Sequence, residues 1–274
     1  LRVDPNGAQA VSPERIVVAP KRSTERGRVV CFHPRYGEEE WLHDVDARLT
    51  AAPAVADGVV YFADWRGRVH ALGALEGDVR WRRRIDAGEG GRTFANAVAV
   101  HDGTLYLGSQ SGNTGVVALS TDDGAERWRA STGAVTEGPV VSGELVIVRS
   151  HGTVTALGTD GERRWTVTVP EPDPQAIGVG EGRVFVPAGD RLYAIDRAGE
   201  EAWRHEAEDS RVGTPTVAGD AVIFPDGDGG LTARGAADGR ERWTVSADAD
   251  GEPIVTAAAL FRASDSGVVA RGEN

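Results

Sequence analysis

The residue types that most often perform chemistry are scattered along this sequence. The histidines form neither a His-Glu-x-x-His pattern nor any other close pair that would bind a metal ion. The six positions are His33, His43, His70, His101, His151 and His205. The sequence also contains no Gly-x-Ser-x-Gly nucleophile elbow and no Walker loop. We therefore predict no catalytic residue.

One acidic segment, Asp226-Gly-Asp228 followed by two glycines, shares part of its pattern with a calcium-binding loop. A complete loop requires a glutamate at its twelfth position, which is Ala237 here. A hairpin turn is expected at the same place. Asp226 and Asp228 are therefore weak candidates for metal ligands, and no metal or cofactor is predicted.

Composition excludes several classes of protein. The chain of 274 residues has 42 acidic and 30 basic residues and a net charge of −12, which argues against a nucleic-acid partner. No apolar run approaches the roughly 20 residues of a membrane-spanning helix. The single cysteine, Cys31, lies in an apolar run, so we expect a buried and inert thiol. The scarcity of lysine, found only at Lys21, favours a halophilic or G+C-rich source.

A repeat of about 40 residues runs through the chain. Six tryptophans mark it: Trp41, Trp81, Trp128, Trp165, Trp203 and Trp243. A glycine stands four positions before each: Gly37, Gly77, Gly124, Gly161, Gly199 and Gly239. A small residue stands nine or ten positions before each: Cys31, Ala71, Ala118, Ala156, Ala194 and Ala233. Trp65 lies outside this register.

The second copy shows how each repeat would fold. Four short runs, 52–56, 59–63, 68–72 and 79–85, are separated by glycine-containing turns and are rich in β-branched, aromatic or alternating residues. No segment has a helical period. Four antiparallel strands per repeat predict an all-β fold, a β-propeller in which each repeat is one blade. The repeated tryptophan is predicted to wedge between neighbouring blades.

We predict one domain, residues 1–274, with seven four-stranded blades. Their approximate bounds are 8–45, 51–85, 95–131, 137–169, 174–206, 212–246, and 252–270 together with 1–4. In this prediction the N-terminal strand completes the last blade and closes the ring, which removes an open sheet edge.

The repeats resemble those of the pyrroloquinoline-quinone-type (PQQ-like) propeller family. The resemblance rests on segments such as 67–72 with Gly77 and Trp81, and 152–157 with Gly161 and Trp165. Resemblance to the quinone-dependent dehydrogenases of this family would imply an eight-bladed ring and a site with a vicinal cysteine pair, a calcium ion and a catalytic aspartate. This sequence has a single cysteine and is more similar to the non-catalytic, BamB-like branch.

In a propeller, the loops between blades and the turns between the second and third strands share one face, where variable loops commonly bind partners. The candidates for this binding face are Arg48, Trp65, Arg92, Glu137, Asp173, Arg211 and Glu252. The alternative, that these charged residues are only solvated, remains open. Trp65 is the tryptophan with the clearest potential for a functional role.

Three functions remain open. The first is a non-catalytic scaffold that binds a protein or peptide partner through the loop-rich face. The second is a quinoprotein oxidoreductase or another enzyme with its site in the channel. The third is a sensory or extracytoplasmic domain of a longer protein, favoured by the absence of methionine. We expect a location outside the cytoplasm after removal of a targeting segment, although a cytoplasmic location is also compatible.

Overall fold

Strands are the only regular secondary structure in the part of the chain that the computed structural model describes. This part comprises residues 8–11, 15–19, 26–49, 52–85, 98–110, 114–170, 175–207, 211–226, 230–245, 254–255, 259–264 and 267–272. Within it no helix is long and apolar enough to cross a membrane. The all-β prediction is confirmed for these residues.

The chain divides into two compact units, and the first contains three antiparallel sheets of four strands. The first sheet consists of β1 (Ala8–Val11), β2 (Ile16–Ala19), β3 (Gly27–Phe32) and β4 (Glu39–Val45). The second consists of β5 (Ala54–Ala56), β6 (Val59–Ala63), β7 (Arg68–Gly73) and β8 (Val79–Arg84). The third consists of β9 (Ala99–His101), β10 (Thr104–Gly108), β11 (Val116–Ser120) and β12 (Glu126–Ala130).

The fourth sheet consists of β13 (Glu137–Ser142), β14 (Leu145–Ser150), β15 (Thr153–Gly158) and β16 (Arg163–Thr168). Its residues are divided between the two units, and β15 and β16 belong to the second.

The second unit also contains three further sheets. One consists of β17 (Gly178–Gly180), β18 (Arg183–Ala188), β19 (Arg191–Asp196) and β20 (Glu201–Glu206). The next consists of β21 (Thr216–Ala218), β22 (Ala221–Asp226), β23 (Gly230–Gly235) and β24 (Glu241–Val245). The last described sheet has three strands: β25 (Ile254–Val255), β26 (Ala259–Ser264) and β27 (Gly267–Gly272).

Within each unit the sheets stack in sequence order. The first strands of successive sheets lie beside one another, β1 by β5 and β5 by β9 in the first unit, and β17 by β21 and β21 by β25 in the second. Apolar residues of neighbouring sheets form shared buried layers; one layer joins Tyr61 and Val69 of the second sheet to Leu105 and Val117 of the third. Burial of both faces explains the nearly continuous apolar runs in the middle strands.

The small residue of each repeat lies directly opposite the tryptophan in the strand ladder. Ala71 pairs with Trp81 and Cys31 with Trp41, and the other four repeats have the same pairing. In all six sheets the register shifts immediately after the small residue. A small side chain leaves room for the indole ring on that face of the sheet.

The repeated glycine lies under the tryptophan of the preceding sheet. A Cβ at Gly77 would lie 2.7 Å from the Trp41 ring, and one at Gly124 would lie 2.8 Å from the Trp81 ring. The same relation holds for three further pairs: Gly161 and Trp128, Gly199 and Trp165, and Gly239 and Trp203. Glycine is therefore required at each of these positions for two reasons. A Cβ would clash with the tryptophan ring, and φ is positive, a conformation that favours glycine.

Each of these tryptophans also donates a hydrogen bond to the same turn. The indole Nε1 atoms of Trp41, Trp81, Trp128, Trp165 and Trp203 lie 2.7 to 3.0 Å from backbone oxygens in the turn of the next sheet. Trp41 and Trp81 are 9% exposed, whereas Trp243 is 37% exposed. Neighbouring sheets are thus joined at their outer strands by one aromatic ring and one hydrogen bond.

Candidate functional site

A buried carboxylate, Asp64, shapes the turn between β6 and β7. Its Oδ1 atom accepts hydrogen bonds from the backbone N–H groups of Arg66 at 2.8 Å and Arg68 at 3.1 Å. Its backbone N–H donates to the Arg68 carbonyl, and its backbone forms a bridge with Leu49. The turn is therefore anchored both to its own hairpin and to the segment that enters the sheet.

The other oxygen of Asp64 bonds to a histidine in the neighbouring strand. Asp64 Oδ2 lies 3.0 Å from His70 Nε2, and both side chains are buried. Arg82 Nε donates to His70 Nδ1 at 3.1 Å, so the hydrogen of a neutral imidazole is on Nε2 and points at the carboxylate. Phe62 stacks on the His70 ring at 4.7 Å between centroids. These contacts hold the His70 ring in one orientation on the face of the sheet beneath the turn.

Hydrogen bonding determines the ionisation of this carboxylate. Burial acts to raise the pKa of Asp64, but hydrogen bonds from His70 and from the N–H groups of Arg68 and Arg66 outweigh it, so the pKa is below its ordinary value. His43 of the preceding sheet has a lowered pKa, first because it is buried and then because its protonated form would interact unfavourably with His70 and Arg82. Asp64 is therefore the negatively charged member of the group that it forms with His70, Arg82 and His43.

The Asp64 turn presents Trp65 to solvent. Trp65 is 40% exposed, and its backbone N–H donates to the Arg48 carbonyl at 2.8 Å. Two of the residues predicted for the binding face, Arg48 and Trp65, are therefore adjacent. Because Asp64 holds the turn and Arg48 is joined to it, the exposed indole is mounted on a rigid support.

Three further arginines lie at the same end of this sheet. Arg66 is exposed in the turn, and Arg68 and Arg84 are directly paired across strands β7 and β8. We call the group Arg48, Trp65, Arg66, Arg68 and Arg84 the Trp65 edge. The last three residues were not among the predicted candidates. The register of the β7–β8 hairpin, anchored by Ala71 opposite Trp81, was the sequence signal that could have identified them.

Glu137 and Arg211 are the other predicted binding residues that the structure describes. Glu137 begins β13 and its charge acts on Arg149, a buried arginine whose pKa burial lowers. Arg211 is exposed and precedes the bridge between Val212 and Asp226. Three candidates, Arg92, Asp173 and Glu252, lie outside the described residues, as does Asp228.

Asp226 contacts the preceding sheet of its unit. Its Oδ2 atom lies 2.8 Å from His205 Nε2 and accepts a hydrogen bond from the Thr232 hydroxyl at 3.0 Å. Among the described residues no group of three or more histidine, cysteine, aspartate or glutamate side chains could hold a metal ion. In this network Asp226 joins two sheets.

The residues present do not match the quinoprotein site implied by the PQQ-like resemblance. The only cysteine, Cys31, is buried opposite Trp41, and burial raises its thiol pKa to about 11. A vicinal cysteine pair therefore cannot form within this sequence.

Comparisons with known proteins identify relatives over most of the chain. The family model described as "Outer membrane protein assembly factor BamB" matches residues 4–93, 65–178 and 150–273. The serine/threonine-protein kinase AfsK of Streptomyces coelicolor is 32% identical over 286 residues, covering 81% of this chain and 34% of the kinase. BamB of Salmonella typhimurium is 29% identical over 168 residues, covering 58% of this chain and 39% of BamB.

A quinohemoprotein alcohol dehydrogenase, ADH-IIG of Pseudomonas putida, is 31% identical over 190 residues, covering 61% of this chain and 26% of the enzyme. This chain thus matches well under half the length of each of these relatives.

Structural similarity agrees with the repeat pattern. The crystal structure of BamB from Moraxella catarrhalis has a TM-score of 0.74 and 17% identity, and the match covers 96% of this chain and 83% of that one. Because of the low identity, this match establishes the fold alone. The family model, which spans nearly the whole sequence, establishes the relationship, and the chain belongs to the BamB-like family of PQQ-like β-propellers.

Proposed function

We propose that this chain is a non-catalytic scaffold that binds a protein or peptide partner through its loop-rich face. The observation that carries the proposal is the position of Trp65, a large aromatic side chain 40% exposed on a turn held by Asp64. Tryptophan is enriched among the residues that dominate binding energy at protein interfaces. The family relationship supports the same reading, because the family model and the Salmonella typhimurium relative are both described as an outer membrane protein assembly factor.

We also propose that the sheets form a seven-bladed ring closed by the N-terminal segment. The described residues contain six four-stranded sheets and the three-stranded sheet β25–β27. A strand formed by residues 1–4, which lie outside the described residues, would complete that last sheet. Closure would place the Trp65 turn on the same face as the other turns between second and third strands.

The names of the relatives support a proposal for where the protein is located and what class of partner it binds. A protein partner outside the cytoplasm is consistent with relatives named for outer-membrane protein assembly. The net charge of −12 disfavours nucleic acid as the partner. No cofactor is needed for a scaffold of this kind.

Site-specific crosslinking in the source cells would test the scaffold function. A photoreactive amino acid in place of Trp65 is compared with one in place of Leu75, which is 64% exposed in the turn at the opposite end of the same sheet. We expect position 65 to capture one recurrent protein that position 75 does not. That protein, once purified, should bind the wild-type chain and bind Trp65→Ala more weakly. Absence of a specific partner at both positions would contradict the proposal.

A second candidate is a sensory domain of a longer protein. The observation that favours it is the match to the kinase AfsK, which covers 81% of this chain but only 34% of the kinase. The complete gene would decide between the two, since the sensory function requires a second, signalling domain in the same polypeptide. A quinoprotein enzyme, by contrast, would acquire quinone absorbance after incubation with the quinone and calcium.

A further inference from the structure

The arginines of the Trp65 edge differ from most other arginines in the described structure. Many arginines elsewhere in the described residues pair with carboxylates, such as Arg28 with Asp44 at 2.8 Å and Arg191 with Glu206 at 2.8 Å, and others bond to backbone or neutral side-chain groups, as Arg127 does to the Thr104 hydroxyl. The guanidinium groups of Arg48, Arg66, Arg68 and Arg84 form no ion pair or hydrogen bond within the part of the chain described here. Among the described residues, these four cations therefore have no paired counter-charge.

Two of these arginines oppose each other in an unfavourable arrangement. Arg68 and Arg84 are partners in the β7–β8 ladder, where like charges directly opposite destabilise the sheet. The next pair on the same face, His70 and Arg82, is compensated by the Asp64 carboxylate. Asp64 is fully buried and accepts hydrogen bonds from His70 and from two backbone N–H groups, and within the described residues it forms no ion pair with the guanidinium group of Arg68 or Arg84. A local conflict of this kind is expected at a functional or strained site, and a bound anion would relieve it.

We propose that the Trp65 edge binds an acidic peptide segment of the partner protein. This inference rests on the scaffold function proposed above and specifies the chemistry of the partner. Guanidinium groups bind carboxylates through paired, directional hydrogen bonds, and the exposed indole supplies an apolar surface for a neighbouring side chain. The edge occupies one end of one sheet, which fits a short segment. A membrane or a nucleic-acid duplex would bring many more negative charges near a protein of net charge −12.

Fluorescence anisotropy with a labelled synthetic peptide tests this chemistry directly. The probe alternates glutamate and glycine and carries one phenylalanine; its control has glutamine in place of every glutamate. We expect the acidic peptide to bind at low salt and to weaken as salt rises, whereas the neutral peptide does not bind. Arg68→Gln and Arg84→Gln should each weaken binding about two- to fivefold.

Arg80→Gln is the matched control, because Arg80 is on the same strand but at its other end and pairs with Asp78. It should bind the acidic peptide as the wild type does. Equal binding of the two peptides, or an equal loss in Arg80→Gln and Arg84→Gln, would overturn the proposal. So would tighter binding of anionic phospholipid vesicles or of a DNA duplex than of the acidic peptide.

The failure of this inference is distinguishable from failure of the scaffold function. If the crosslinked partner binds with the same affinity to Arg68→Gln, Arg84→Gln and the wild type, the scaffold stands and the acidic-segment proposal is wrong. If no partner exists but the peptide still binds selectively, the scaffold function fails while the edge remains an acidic-peptide site.

Discussion

A pair of glycine substitutions would isolate the contribution of the contact between neighbouring sheets. Gly124 and Gly58 both have φ of +71°, so an alanine Cβ strains the backbone equally at the two positions. Nothing lies within 4 Å of a Cβ built at Gly58, whereas one at Gly124 would lie 2.8 Å from the Trp81 ring. A left-handed conformation costs a residue with a Cβ about 1–2 kcal/mol. Gly58→Ala should therefore lower the free energy of unfolding by about that amount.

Gly124→Ala should cost more, because Trp81 must also move. Insertion of a methyl group into a packed contact typically costs about 1–3 kcal/mol, and movement of the ring would also weaken its 2.7 Å hydrogen bond to the Thr121 carbonyl. We expect a total loss of about 2–5 kcal/mol in urea unfolding followed by circular dichroism. In a Trp81→Ala background the excess over Gly58→Ala should shrink to the part due to the Arg83 side chain, whose Cγ atom would lie 2.6 Å from the same Cβ. Equal losses for the two glycines in the wild-type background would refute the role assigned to the repeated glycine.

Four further predictions concern other parts of the molecule. Asp64→Asn should cost about 1.5–3 kcal/mol at neutral pH, since it replaces the buried carboxylate that accepts hydrogen bonds from His70 and from the backbone of Arg66 and Arg68. Because the folded pKa of Asp64 is lowered, this difference should be full above about pH 4 and fade as the pH falls through the folded value, which acid-unfolding curves of both proteins would show. Arg84→Gln should raise stability by about 0.2–1 kcal/mol, because it relieves a like-charged cross-strand pair; a loss in thermal unfolding would contradict this. Cys31, with a thiol pKa of about 11, should resist alkylation at pH 8 until denaturant is added, so rapid labelling of the native protein would be unexpected. Deletion of residues 1–5 should lower the melting temperature and promote self-association; an unchanged melting curve would argue against ring closure.

The strands could be predicted from sequence because their signals are local. Alternating or apolar runs between glycine turns define four strands per repeat, and the observed strands follow them from β1 to β27. The repeat also indicated that a small residue and a tryptophan are structurally linked. Their direct pairing, as in Ala71 with Trp81, follows from hairpin register and could have been derived.

Contacts between repeats could not be derived in the same way. The glycine before each tryptophan was explained as a turn residue, but the ring it supports comes from the preceding sheet, about 40 residues away. The Trp65 edge was also only partly predicted. Trp65 was identified because it lies outside the repeat register, and Arg48 because it is a charged residue that enters an innermost strand, whereas Arg68 and Arg84 were not singled out. Their opposition follows from the hairpin register, whereas their lack of a paired counter-charge among the described residues is visible only once Asp64 and its hydrogen bonds are placed.

The most direct test of the proposed function is the affinity of the crosslinked partner for two single variants. Isothermal titration calorimetry would compare Trp65→Ala with Leu75→Ala, two exposed apolar residues at opposite ends of the same sheet. We predict a loss of about tenfold or more for Trp65→Ala, as for an aromatic residue that anchors an interface, and an unchanged affinity for Leu75→Ala. Unchanged affinity in Trp65→Ala, or an equal loss in both variants, would contradict a scaffold that binds its partner through the Trp65 edge.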